Sequence, residues 1–158
     1  MNATIIPASQ RVNELYTGLP AELRKELERH EQDVKVPRGY RLIQHHVHAG
    51  RLIILNSGTV EVSVPCGGHE VLMGTAGSGK VFGMRAAVSG EVPEINVTCL
   101  EECEIAVIPA EDFNSILRDN PQMYFAVARV LSADLKIADQ LIRNCARKAS
   151  AMARNKNT

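Results

Sequence analysis

RLIILNSGTVEVSVPCGGHEVLM, residues Arg51 to Met73, decides the fold class. An apolar run, Leu52 to Leu55, is followed by the turn signal Asn56-Ser57-Gly58. TVEVSV then alternates apolar and polar residues as a half-buried strand does, Cys66-Gly67-Gly68 breaks it, and EVLM resumes it. Two strands joined across a Gly-Gly pair make a β-hairpin. Working outward, YRLI, INVTCL and EIAVI are further short strands, separated by Pro37-Arg38-Gly39 and Gly77-Ser78-Gly79. Many short strands with closely spaced turns over residues 34–108 imply a sandwich, jelly roll or β-roll. GTAGSGK, Gly74 to Lys80, lacks the spacing and the terminal Ser/Thr of a phosphate-binding loop and reads as a turn between strands.

The flanks are helical. Over residues 1–31, PAELRKELERH places Pro20 at a first helical position and repeats Leu19, Leu23 and Leu27 on one face. Residues 110–149 hold a short helix opened by Pro109-Ala110-Glu111-Asp112 and a longer one running from Pro121 towards residue 149. In the longer helix Leu131, Leu135, Ala138, Ile142, Cys145 and Ala149 recur with 4-3-4-3-4 spacing. That is one long, narrow apolar stripe, and it is read as the seam of a homodimer. Residues 150–158 read as a basic tail, since no acidic residue follows Asp139 while Arg143, Arg147, Lys148, Arg154 and Lys156 do. The fold class is thus mainly β with flanking helices: a double-stranded β-helix jelly roll (a β-roll) with a long C-terminal dimerisation helix. Residues 1–149 form one domain.

Composition narrows the function. Eighteen basic residues balance eighteen acidic ones, so no overall field draws the chain to nucleic acid or an anionic membrane. Aromatic residues make up 4% and Trp is absent, which argues against a base-stacking surface. No apolar run approaches a membrane span, and MNATIIPASQR lacks the order of a signal peptide, so a cytoplasmic protein is expected. Cys66, Cys99, Cys103 and Cys145 are then reduced thiols, and C-x3-C with no second pair is not a zinc pattern. No Ser or Cys nucleophile stands near a His and carboxylate pair in the sequence, so no enzyme is expected.

The order helix, β-roll, short helix, long helix carries a resemblance over residues 15–148. RLIQHHVHAGRLIILNSGTVEVSV resembles the first half of cyclic-nucleotide-binding domains of the catabolite-activator and fumarate-nitrate-regulator type, with Gly58 as the turn glycine. VFGMRAAVSG falls where that family has its phosphate-binding cassette, commonly V-F-G-E-x-A-L, and LEECEIAVIPAEDFNSILRDNPQM resembles its last strand and following helix. The resemblance implies a ligand site at Phe82, Gly83, Met84, Arg85, Ala86, Ala87, Pro93 and Glu94. It also implies that the site is degenerate. Met84 stands where the family has a Glu for the ribose hydroxyl, and Pro93 and Glu94 stand where an Arg and a small hydroxyl residue hold the cyclic phosphate. His46 occupies the glycine of the usual R-x-G-D-x turn. Ordinary recognition of cyclic AMP or cyclic GMP is therefore not expected, while Gly83 and a helical turn over Met84 to Ala87 leave altered anion binding open.

The expected role is a regulatory, ligand-sensing module, and two alternatives use other chemistry. Haem or a metal is one, through His45, His46, His48, Cys99 and Cys103, with Cys66 and Met84 also compatible with iron. The other is a cupin-like metalloenzyme, because His46-Val47-His48 before RLIILNSGTVEV is similar to the cupin H-x-H. Leu52, Ile53 and Phe82 stand where the remaining cupin ligands would be, which leaves two of four. Regulators of the resembling family continue into a helix-turn-helix module, and no recognition helix fits ASAMARNKNT. The expectation is a sensory module that does not itself grip DNA.

Overall fold

A computed structural model describes residues 12–157. Eight strands form two four-stranded sheets in which every pairing is antiparallel. The first sheet contains β1 (Gln32–Val36), β3 (Arg51–Ser57), β6 (Val81–Phe82) and β8 (Cys103–Pro109), in the order β1-β8-β3-β6. The second contains β2 (Arg41–Ile43), β4 (Val60–Cys66), β5 (His69–Ala76) and β7 (Asn96–Cys99), in the order β2-β7-β4-β5. Helices α1 (Ala21–Arg29), α2 (Met84–Ser89), α3 (Ala110–Asp119) and α4 (Tyr124–Lys156) surround them, with a 3-10 turn at Pro121–Met123 ahead of α4.

The apolar run in β3 is continuous because this strand is buried on both faces. Ile53 and Leu55 point between the sheets, where they meet Val36, Leu42, Val60, Val97 and Ile105. Leu52 and Ile54 point the other way and pack with Leu15, Leu27, Ile108, Phe113 and Val130 under the helices. Each of these fully buried Leu and Ile side chains contributes about 1.5–3 kcal/mol by leaving water. The predicted hairpin is β4–β5, with Cys66 paired to His69 across Gly67-Gly68. Gly58 closes the β3–β4 turn at φ +100°, where a Cβ would lie 2.5 Å from the Cys103 sulfur. Only glycine fits there.

Three sequence expectations change. The helix expected over residues 1–31 is confined, among the described residues, to Ala21–Arg29; residues 1–11 lie outside them. Residues 14–18 instead form a turn, held by the Asn13 side chain accepting the Leu15 and Tyr16 backbone N–H at 2.9 Å each. Pro20, with ψ at 144°, precedes the helix as its cap and is not its first residue. The stretch read as a basic tail from residue 150 is helical to Lys156, seven residues past the expected end at 149. Ala, Lys and Arg dominate it, no Gly or Pro interrupts it, and its cations face the negative end of the helix dipole. β1 and the two-residue β6 carried no clear pattern, since β1 is an exposed edge strand with only Val36 buried.

Candidate ligand-binding cavity

The cassette begins at Gly83, which leaves β6 at φ +84°; a Cβ there would lie 2.7 Å from the Arg51 carbonyl oxygen. Glycine therefore lets β6 turn directly into α2 beside β3. Phe82, Gly83, Met84, Arg85 and Ala86, together with Pro93 and Glu94, line one cavity of about 690 Å3. Ala87 is turned away into the core under the helices. Opposite the cassette stand Ile43, Val62 and Met73 of the second sheet, and Leu131, Asp134, Leu135 and Ala138 of α4.

The charged groups around this cavity are already matched. Arg85 donates to Glu91 at 2.7 Å and lies 3.5 Å from Glu94. Lys80, just before β6, donates to Asp134 of α4 at 2.5 Å and to Glu14 at 3.1 Å. The other Glu14 oxygen accepts the Val81 backbone N–H at 3.0 Å. Burial alone would lower the Lys80 pKa, but the Asp134 hydrogen bond and the Asp134 and Glu14 charges outweigh it and hold the ammonium above its ordinary value. Met84 is fully buried, and its thioether offers at most a weak acceptor.

The histidine turn follows β2. His46 has φ 61°, and among the described residues it is the single non-glycine residue with positive φ, which matches the glycine expected there. Its N–H donates to the Pro93 carbonyl at 2.8 Å, and the His45 N–H donates to Asn96 Oδ1 at 2.8 Å. The His45 and His46 rings stack 3.6 Å apart. This turn thus pins the loop that carries Pro93 and Glu94.

The residues offered for haem or metal do not converge. His45, His46 and His48 sit in that turn and not on a strand, so alternation does not align His46 with His48. His45 meets the Asn96 end of β7, whereas Cys99 ends the same strand three residues on, about 10 Å away. Cys99 and Cys103 are both buried between the sheets, and burial together with the Cys103 thiol beside it pushes the Cys99 thiol up to about 12. Such thiols are hard to ionise and act as small apolar side chains. Among the described residues no group of three or more His, Cys, Asp or Glu is placed to hold a metal ion.

A family model for the cyclic nucleotide-binding domain matches residues 33–120, more than half of the chain. The chain belongs to this family. No curated protein matches it. Among solved structures, this cyclic nucleotide-binding domain is similar to the Catabolite Activator Protein of Thermus thermophilus, with a TM-score of 0.73 at 21% identity, covering 85% of this chain and 63% of that one. The global regulator CLP of Xanthomonas campestris, described as c-di-GMP responsive, gives 0.68 at 22% identity over 82% of this chain and 65% of its own. The N-terminal domain of a transcriptional regulator from Streptomyces coelicolor A3(2) gives 0.65 at 20% identity, with 85% and 94% covered. The domain spans just under two thirds of the Thermus and Xanthomonas proteins, and likeness at these identities is a likeness of fold. Among the described residues no helix is long and apolar enough to cross a membrane.

Sequence reasoning missed Lys80, Asp134, Val62, Met73 and Glu91 as parts of the cavity. Lys80 and Asp134 are 54 positions apart, and no periodicity links a turn residue to a helix residue over that distance. The available signal was the lone Lys80 immediately before the cassette.

Proposed function

We propose that this domain is a regulatory, ligand-sensing module and not an enzyme, and that it does not hold a cyclic nucleotide in the family's usual way. The observation that carries the reading is the state of Arg85. A cyclic phosphate needs a guanidinium fork, and the cassette's own arginine, though 57% exposed, pairs with Glu91 and faces Glu94, so a phosphate would have to compete with two carboxylates for it. A phosphate brought within about 5 Å of Glu94 would be repelled by roughly 1–3 kcal/mol at an effective dielectric between 20 and 80. Met84 supplies no carboxylate for a ribose hydroxyl, and Pro93 supplies no side-chain donor. The other cation, Lys80, is engaged by Glu14 and Asp134.

The same reading makes the module a homodimer through α4. Leu135 and Ile142 are 70% and 67% exposed, and Cys145 and Ala149 continue their stripe in the open. Leu131 is already half-buried against the domain's own core, so the seam begins in earnest at Leu135. Leu135 and Ala138 also line the cavity, so a bound ligand would lie beside the dimer contact. A cytoplasmic location fits this reading, and the balanced charge gives these residues no general attraction to DNA.

Melting in the presence of cyclic AMP or cyclic GMP tests the nucleotide part. A ligand present at about 100 times its Kd adds ~2.7 kcal/mol to stability, which moves Tm by several degrees in a domain of this size. No shift is expected at millimolar nucleotide. A rise of several degrees would overturn the reading.

A further inference from the structure

The cavity has about 690 Å3 of space, within the range that encloses a small organic molecule. Its floor and α4 wall are apolar, formed by Val62, Met73, Phe82, Leu131 and Leu135. Met73 is the extra residue where the β4–β5 ladder slips, because Val62 pairs with Gly74 and Ser63 with Leu72. A bulge of this kind re-aims a side chain, and here it supplies Met73 to the lining.

The charged groups of the lining divide into two cations, Lys80 and Arg85, and three carboxylates, Glu91, Glu94 and Asp134. Each cation is within ion-pair distance of at least one carboxylate. An anionic ligand would leave water for a site that is negative on balance, where the buried cation, Lys80, is held by Asp134 and Glu14 and the exposed one, Arg85, is shared by Glu91 and Glu94. A cationic ligand would find Glu94 as its most available partner, but that carboxylate is 69% exposed and a solvent-screened pair there is worth little, while the apolar floor gives a charge nothing in return. The uncharged hydrogen-bonding side chain of the lining is Thr75. The geometry points to an uncharged, mainly apolar small molecule as the ligand of this cavity, packed on Val62, Met73 and Phe82 against α4. This rests on the reading that the cassette no longer takes a cyclic nucleotide, and it adds the class of ligand that replaces it.

Paired dyes test it on the full chain: N-phenyl-1-naphthylamine, uncharged and bright in apolar surroundings, and 8-anilinonaphthalene-1-sulfonate, similar in its aromatic body but anionic. Saturable binding of one uncharged dye per chain is expected, roughly tenfold or more tighter than the sulfonate. Val62→Trp, which fills the floor, should weaken the uncharged dye by roughly tenfold or more. Thr75→Trp, from an exposed position on the adjacent strand, should do the same if Val62→Trp fails to fold. Equal affinity for the two dyes, preference for the sulfonate, or undiminished binding in a folded Trp variant would each overturn the proposal. So would binding that appears only when the protein is diluted to monomers, because a second copy would then be the occupant. Absence of dye binding while cyclic AMP is also silent defeats this inference alone; cyclic AMP that binds and displaces the dye defeats the reading beneath it.

Discussion

At the scale of the residue, the cassette shows how one side chain's partners decide what a site can hold. Arg85 is a cation of the right type, but its guanidinium is bound to Glu91 and faces Glu94. Met84, Pro93 and Glu94 were picked out in the sequence by their place in and after the Phe-Gly turn, and all three line the cavity; that they stand in for the family's ligand residues belongs to the proposed reading. The partner of Arg85 at Glu91 was not legible, since it depends on how Gly90 ends α2 at φ 75°. His46 was legible as the replacement of a turn glycine, and it keeps that glycine's left-handed backbone. A left-handed residue with a Cβ carries a strain of about 1–2 kcal/mol, eased for side chains that bond locally. His46→Gly is therefore expected to raise unfolding stability by about 1 kcal/mol in urea titrations. A loss of stability would show instead that the stack of His46 on His45 outweighs the strain.

At the scale of the element, an apolar pattern or a turn signal made a strand readable even where no residue is fully buried, as in β5, and its absence hid β1 and the two-residue β6. The β4–β5 hairpin and β3 followed from alternation and from a continuous apolar run, whereas β1, buried only at Val36, has no pattern to read. The two roles of α4 were half legible. Its stripe announces an apolar face, but heptad spacing cannot tell a cavity wall from a dimer seam, and Leu135 and Ala138 line the cavity as well as the proposed seam. Its attachment to the β-roll beside the cavity is an ion pair, Lys80 with Asp134, reinforced by Glu14. Lys80→Met leaves those two carboxylates without their cation and should cost about 1–2 kcal/mol at neutral pH, Asp134 being partly exposed. The folded-state pKa of Lys80 is raised, so its contribution is fully present below the unfolded lysine's 10.5 and is lost as pH rises through the folded value. The gap in Tm between wild type and Lys80→Met should accordingly hold from pH 7 to about 10 and close above that. A gap that widens in alkali would contradict the stabilising role of the Lys80 ion pairs.

At the scale of the whole molecule, glycine positions, strand order and both flanking helices agreed on one architecture, which is why the family could be named from sequence. The cavity's chemistry emerged only from topology, because its walls come from the second sheet, the cassette and α4 together. Assembly belongs to this scale as well. Leu135→Glu places a charge on the proposed seam, and light scattering should report a dimer mass for wild type and a monomer mass for the variant. Equal masses would end the proposal that α4 pairs with its copy. A cyclic nucleotide cassette that pairs its own cation with Glu91 and Glu94 should regain nucleotide binding when those carboxylates are neutralised. Titration calorimetry of cyclic AMP into the wild-type chain and into Glu91→Gln/Glu94→Gln, which frees Arg85, tests it most directly. No heat is expected from wild type and measurable binding from the double variant; saturable heat from wild type would mean that Arg85 is open to a phosphate.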